Sequence, residues 1–264
     1  MSFPTDSVSL SLGQRTLEIE YRWAGSQHAA NTLVLLHEGL GSVAMWKGFE
    51  DQLAAACNAR VLVYSRPGYG RSTPRPPSEV WSPDFMHVQA RAVLPALLDA
   101  LGVAQPVDLV GHSDGASIAL IAAAHQPDRY GRLVVMAPHT HVEDICISAI
   151  EASRVAYAQG TLKSALARYH RDPDSAYFGW SEAWLAPAFR DWDLRDLVAQ
   201  LDHPILAIQG EGDAYGTMEQ VLGIARLAPQ ARVLQLANCG HSPHRDQPTQ
   251  VLAAITDFLG GSAP

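Results

Sequence analysis

VDLVGHSDGASIALIAAA, residues 107–124, is the stretch on which the fold turns. A short apolar run, Val107–Gly111, leads into the pattern G-x-S-x-G at Gly111-His112-Ser113-Asp114-Gly115. Ala116–Ala124 then follows, apolar on every side. The run reads as a buried strand and the small-residue stretch as a buried helix. Ser113 stands on the sharp turn between them, where a strained backbone projects its hydroxyl out of the sheet. Glycines two before and two after leave room for the chain to pass closely. The pattern alone would occur by composition in roughly one chain in ten of this length. Its strand–turn–helix setting is what makes it informative.

Working outward, five further short apolar runs have the same character: Thr32–His37 (TLVLLH), Arg60–Ser65 (RVLVYS), Leu133–Ala137 (LVVMA), Ile205–Gly210 (ILAIQG) and Arg232–Leu236 (RVLQL). Runs without alternation suit parallel strands covered on both faces. Ser7–Leu12 and Thr16–Trp23 instead alternate with period two about a Gly13-Gln14 turn, which predicts an opening antiparallel hairpin. Helical patterns lie between the runs. Leu94, Leu97, Leu98 and Leu101 form one stripe, stopped by Gly102 and started at Ser82-Pro83. Val251, Ile255 and Phe258 form another, begun by Pro248. Strands alternating with helices imply right-handed crossovers, hence an α/β chain with a mostly parallel, doubly wound sheet.

One segment breaks the alternation. Residues 139–201 carry helical periodicity (Val142, Ile145, Cys146, Ala149, Ser153, Ala156) but no strand-like run. They also hold Tyr157, Tyr169, Tyr177, Phe178, Trp180, Trp184, Phe189 and Trp192. Ligands bind outside the carboxyl ends of parallel strands, so an insertion there suits a helical cap or lid. The expected organisation is a core of residues 1–138 and 202–264 with a lid at 139–201. Most of the aromatics would glue the lid to the body. Trp180 and Trp184, with Trp81 in the Pro-rich loop Ser72–Pro83, would line an apolar substrate pocket.

A hydroxyl is a poor nucleophile at neutral pH and needs a base, which in turn needs an orienting acid. Asp213 lies in LAIQGEGDAYG, just past a buried run, and His241 lies in LANCGHSPHRDQP, after the last one. Ser113, Asp213 and His241 thus fall in the order Ser, Asp, His, each at the carboxyl end of a strand. Glu211 is the alternative acid. His244 is the alternative base, read as a supporting residue because it sits where the last helix begins. The charge developing on an attacked carbonyl oxygen needs preorganised donors. The backbone N–H of Asp114, at a helix start, would be one, and that of Gly39 in His37-Glu38-Gly39-Leu40-Gly41 the second.

On these motifs the chain resembles the α/β-hydrolase superfamily over essentially its whole length. The LLHEGLGS loop, SRPGYGRS turn, GHSDG elbow, GEGD acid loop and GHSPH histidine loop occur in family order. The resemblance implies an α/β-hydrolase fold and a serine hydrolase working through an acyl-enzyme. The Asp after the nucleophile and the ALIAAA helix resemble the valacyclovirase-like and meta-cleavage-product hydrolase branches, which implies hydrolysis of small esters or of C–C bonds. Two positions depart from the commonest pattern: Glu38 replaces the glycine after His37, and Ser65 stands where aspartate is usual. Glu38 either pairs with Arg66 to brace the two loops or is a solvated loop charge. The Asp114 side chain either recognises a substrate amine or caps the helix after Ser113. Ser113 at the elbow argues against dehalogenases and epoxide hydrolases of this fold, which the resemblance says use aspartate there.

The bulk composition narrows the remaining choices. Apolar residues make up 47% and charged residues 17% of the 264, an ordinary globular balance. A formal net charge of −8 disfavours nucleic acid and anionic membrane surfaces as partners, so a small molecule is expected. Cys57, Cys146 and Cys239 lack CxxC spacing and suit reduced cytosolic thiols. The N-terminus has no cationic start before an apolar run, unlike a signal peptide, so a cytoplasmic location is expected. No metal or organic cofactor is expected, and histidine spacing of the HExxH type is absent. The reading is therefore a serine hydrolase of small carboxylic esters or lactones. C–C hydrolysis of a diketone-like acid, thioester hydrolysis, or a non-catalytic receptor or scaffold are the alternatives.

Overall fold

The computed structural model describes residues 5–104 and 106–260. Residues 1–4 and 261–264, which the sequence reading assigns to the core, lie outside the described residues. Eight strands form one sheet: β1 (Asp6–Leu12), β2 (Arg15–Ala24), β3 (Thr32–Leu36), β4 (Arg60–Tyr64), β5 (Val107–His112), β6 (Tyr130–Met136), β7 (Ile205–Gly210) and β8 (Arg232–Leu236). Their spatial order is β1-β2-β4-β3-β5-β6-β7-β8. β2 is antiparallel to both β1 and β4, and every other pair is parallel. This is the α/β-hydrolase fold expected from the sequence.

Two apolar layers explain why the central runs do not alternate. Leu33, Leu35, Val61 and Val63 join one buried cluster, with Phe49 and Leu53 of helix α1 (Phe49–Cys57). Val34, Leu36, Leu62 and Tyr64 point the other way, into a second cluster. That cluster takes in α2 (Phe85–Val88), a wide π turn at Gln89–Val93, α3 (Leu94–Ala100) and α4 (Asp114–His125). All residues of α4 from Asp114 to Ala123 are buried, so small side chains let it pack directly on the sheet. Side chains alternate along a strand, and both faces are dry here.

Between β6 and β7 come α5 (Asp144–Ala158), α6 (Thr161–Leu166), α7 (Pro173–Leu185) and α8 (Arg195–Val198), with no strand of the sheet among them. Tyr177, Trp184, Phe189 and Trp192 of this segment share the cluster that covers the second face of the sheet. After β7 come α9 (Glu219–Leu227), α10 (Pro243–Asp246) and α11 (Pro248–Gly260). Val251, Ile255 and Phe258 of α11 cover the first face.

Three local readings are corrected. The helix expected from Ser82-Pro83 begins at Phe85, because the Ser82 hydroxyl turns to the Asp84 carboxylate instead of capping. β8 is an edge strand with only Leu236 fully buried, so RVLQL is not covered on both faces. Helices α1 and α9 have no counterpart in the sequence reading. Val221 and Ile224 of α9 are buried in the core, with Leu227 packed beside them.

Candidate active site

Ser113 joins β5 to α4 with φ 53° and ψ −121°, a left-handed conformation that costs a non-glycine residue energy. The neighbouring packing enforces it. A β-carbon on Gly115 would come within 2.0 Å of the Leu36 carbonyl, and one on Gly111 within 2.4 Å of the Gly115 carbonyl. The Ser113 amide donates to the Met136 carbonyl at 2.9 Å, which pins the turn to the next strand.

The other two predicted residues reach the serine through loops at the same end of the sheet. A β-carbon on Gly210 would lie 2.2 Å from the Cys239 carbonyl, so glycine there lets the two loops touch. The Glu211 and Gly212 amides donate across to the carbonyls of Leu236 and Cys239, both at 2.9 Å. Asp213 Oδ1 then meets His241 Nδ1 at 2.8 Å, and His241 Nε2 meets Ser113 Oγ at 2.9 Å. An ionised carboxylate only accepts, so Nδ1 carries the hydrogen and Nε2 is left to accept from the serine hydroxyl. Burial pushes the Asp213 carboxyl up. The hydrogen bond and charge of His241, with the Tyr215 amide, outweigh it and hold the group below its ordinary value. The arrangement can take a proton from Ser113 and stabilise the imidazolium that results.

The alternatives lie elsewhere. Glu211 is exposed and its side chain makes no hydrogen bond among the described residues. His244 is buried against Trp46, Phe49 and His112, and burial drives it down to about 3, so it stays neutral.

A cavity of about 120 Å³ opens over Ser113, lined by Gly39, Leu40, Asp114, His139, Cys146, Trp180, Trp184 and Tyr215 among others. The Gly39 and Asp114 amides donate to no protein acceptor among the described residues. A β-carbon on Gly39 would sit 2.2 Å from Trp180 Nε1, so only glycine lets the indole cover that loop. Leu40, His139, Cys146 and Tyr215 were not assigned to the site from the sequence. His139 alone carried a signal, since it follows the β6 strand at the sheet's carboxyl end. Burial holds it down to about 3, and it packs edge-on against Trp184.

The two departures from the usual pattern resolve differently from expectation. Arg66 Nη2 donates to the Glu38 carbonyl at 2.8 Å, so the loops are braced through the backbone and not through the carboxylate. His37 adds to the brace: its Nδ1 donates to the same carbonyl at 2.7 Å and its Nε2 accepts the Arg66 amide at 3.0 Å. The Glu38 carboxylate instead faces His112 Nδ1 at 3.5 Å. Burial would raise this carboxyl, but the His112 side chain facing it holds it well below the usual range, so it stays charged. Ser65 donates to Glu20 at 2.7 Å, and the same Glu20 oxygen takes the Arg71 amide at 2.9 Å. The carboxylate of this turn therefore comes from β2.

The Asp114 side chain is oriented by protein groups. It makes no capping bond to its helix. Oδ1 accepts from Trp184 Nε1 at 3.1 Å and Oδ2 faces Arg66 Nη1 at 3.8 Å, with the side chain 1% exposed. Oδ2 has no hydrogen-bond partner among the described residues, and Asp114 is part of the cavity lining.

One further contact was invisible in the sequence. His112 Nε2 lies 2.6 Å from the His241 carbonyl. A carbonyl can only accept, so His112 donates. The residue before Ser113 thereby holds the backbone of His241. Among the described residues no group of three or more His, Cys, Asp and Glu side chains is placed to hold a metal, and no helix is long and apolar enough to cross a membrane.

Comparison with known proteins gives the context. The model of the alpha/beta hydrolase family matches residues 33–255. The sn-1-specific diacylglycerol lipase ABHD11 of Mus musculus is 26% identical, over 93% of this chain and 86% of that protein. The 2-hydroxy-6-oxo-6-phenylhexa-2,4-dienoate hydrolase of Comamonas testosteroni is 24% identical over 91% of each chain. Among solved structures, a hydrolase from Pseudomonas aeruginosa PA01 superposes with a TM-score of 0.77 at 23% identity, covering 97% of this chain and 99% of that one. At that identity the likeness is one of fold.

Proposed function

Because the chain belongs to the alpha/beta hydrolase family, we propose that it is a serine hydrolase of small, uncharged carboxylic esters or lactones. The observation that carries this reading is the unbroken line from Asp213 through His241 to Ser113, at 2.8 and 2.9 Å. In this mechanism His241 removes the Ser113 proton and Oγ attacks the ester carbonyl. The tetrahedral anion rests on the Gly39 and Asp114 amides, the second favoured by the start of α4. His241 protonates the departing alcohol, then activates the water that releases the acid. Asp213 stays ionised throughout. Residues 139–201 serve as the lid, with Trp180 and Trp184 as the roof of the acyl site.

Charge favours an ester over the C–C bond of a meta-cleavage acid, whose carboxylate would need a cationic partner. The cavity wall holds the charged Glu38 and neither lysine nor arginine among the described residues. Arg66 is buried behind Asp114. Size narrows the class further. About 120 Å³ is the share of roughly four waters. With p-nitrophenyl esters, kcat/KM should peak between acetate and butyrate and fall at least tenfold by octanoate. A maximum at octanoate would refute the small acyl site, and turnover of a dienone acid without ester turnover would refute the ester reading.

The bond from His112 to the His241 carbonyl supports a positioning role for His112. His112→Phe keeps a ring but loses the donor. It should lower kcat about tenfold to a hundredfold with little change in KM, since small misplacement of a base is costly. The rate of fluorophosphonate labelling should fall in parallel, with partial recovery in His112→Asn. A folded His112→Phe protein with kcat within twofold of the wild type would remove that role.

A further inference from the structure

A second cavity, of about 310 Å³, lies outside the site just described, and none of Ser113, Asp213 or His241 lines it. Leu12 and Leu17 of the first hairpin, with Trp81, Phe85 and Val93, make its wall apolar. Its volume falls within the range of small-molecule sites, which pair apolar walls with a few placed polar groups.

Arg75 is the polar group that stands out. It lines this cavity and is 8% exposed, yet no carboxylate lies within ion-pairing distance of it among the described residues. The nearby Glu79 carboxylate is taken by Arg15 at 2.8 Å. Arg75 Nη1 donates to the Glu79 carbonyl, and Nε has no partner. Gln89, also 8% exposed and also lining the cavity, has its Oε1 without a partner. A guanidinium cannot shed its charge in a protein. Buried charges are ordinarily paired, because an unpaired one is costly. Arg66, the other buried arginine near the active site, does have Asp114 beside it. Arg75 faces a largely apolar chamber whose other charged groups, Arg15 and Glu79, pair with each other.

We propose that this cavity binds an amphiphilic monocarboxylate, its head group on Arg75 and its tail along Trp81 and Phe85. A single negative charge matches the single uncompensated guanidinium, and Glu79, which also lines the cavity, opposes a doubly charged head group more strongly than a singly charged one. Two exposed apolar side chains on the cavity's edge, Val80 at 76% and Val88 at 46%, extend the wall to the surface, where a tail can emerge. Trp81 is wedged against α7: a β-carbon on Gly179 would come within 2.8 Å of its ring. Gly179 directly precedes Trp180, so an occupant of this cavity adjoins the helix that roofs Ser113. The site does not depend on the ester reading.

Three probes with one tail test it on the full chain: octanoate, 1-octanol and octylammonium, each below its micelle concentration. Tryptophan fluorescence and Tm are the readouts. Octanoate should bind saturably, raise Tm, and bind at least tenfold more tightly than 1-octanol, with no saturable binding of octylammonium. Arg75→Met should lose the preference for octanoate over octanol while its ligand-free Tm stays at or above that of the wild type, since a buried unpaired charge is gone. Val80→Asp, at an exposed position, should weaken octanoate at least fivefold and so serves if Arg75→Met does not fold. Equal binding of octanoate and octanol, no saturable octanoate binding, or undiminished octanoate binding to either variant overturns the proposal.

Discussion

Ser113→Ala should abolish ester hydrolysis, with kcat falling by about 10⁴ or more, which corresponds to about 5 kcal/mol of lost transition-state stabilisation. Oγ is the only atom removed, and its one hydrogen bond is to His241 Nε2 at 2.9 Å. The strained φ of 53° burdens serine and alanine alike, because both carry a β-carbon. Glycines 111 and 115 and the Met136 carbonyl still hold the turn. Tm should therefore move by no more than a few degrees while fluorophosphonate labelling vanishes. What activity survives would come from the Gly39 and Asp114 amides acting on bound ester with water as nucleophile. Burst kinetics give an independent readout: the wild type should release an initial stoichiometric burst of p-nitrophenol when deacylation limits, and the variant none. Turnover within tenfold of the wild type in a folded Ser113→Ala protein would mean that another group attacks the ester.

Asp213→Asn should cost about 10³- to 10⁴-fold in kcat without disturbing the loop. The Asp213 carboxylate accepts His241 Nδ1–H through both oxygens, at 2.8 and 2.9 Å, and also the Tyr215 amide at 2.8 Å. Asparagine keeps one acceptor but offers an N–H to the ring in place of the other. If the Tyr215 amide holds the remaining oxygen, the imidazole meets a donor at Nδ1 and turns its own hydrogen to Nε2, where it can no longer accept from Ser113. Stability should respond with pH in a defined sense. The Asp213 carboxyl is held below its ordinary value in the folded protein. Its contribution is therefore present above the ordinary aspartate range and is lost as pH falls through its lowered value. The gap in Tm between wild type and Asp213→Asn should be open at pH 7 and narrow as pH falls below the ordinary aspartate range. A gap that widened on acidification, or a kcat within tenfold of the wild type, would show that Asp213 does not act through its charge on His241.

The sheet was legible because each central strand is wetted on neither face. Continuous apolar runs such as Leu33–Leu36 and Val61–Tyr64 have no other stable use in a chain with charged residues between them. The elbow was legible for a related reason: a glycine, a small-residue helix and a strand must meet at one turn, and few residue types fit there. RVLQL misled because an edge strand and a central strand differ in what covers them, which the run itself does not encode. Helix α9 was missed because it is only nine residues long, with a glycine at its centre and a glutamine among its three buried residues. Tertiary packing supplies what such a helix lacks in pattern.

The order of residues alone determined the α/β layering, the single serine elbow, and the placing of Ser113, Asp213 and His241 at the ends of three strands. These follow from backbone rules and from the periodicity of burial, both local properties. Only the tertiary structure decided the partner of each charge. Glu38 faces His112 and not Arg66, Asp114 is held by Trp184 and Arg66, Glu20 serves the turn at Ser65, and Arg75 has no carboxylate within ion-pairing distance among the described residues. A side chain's electrostatic partner is whatever lies within a few ångströms in space. In this sheet those neighbours come from loops far apart in the chain, so their pairing appears only once the strands have brought the loops together.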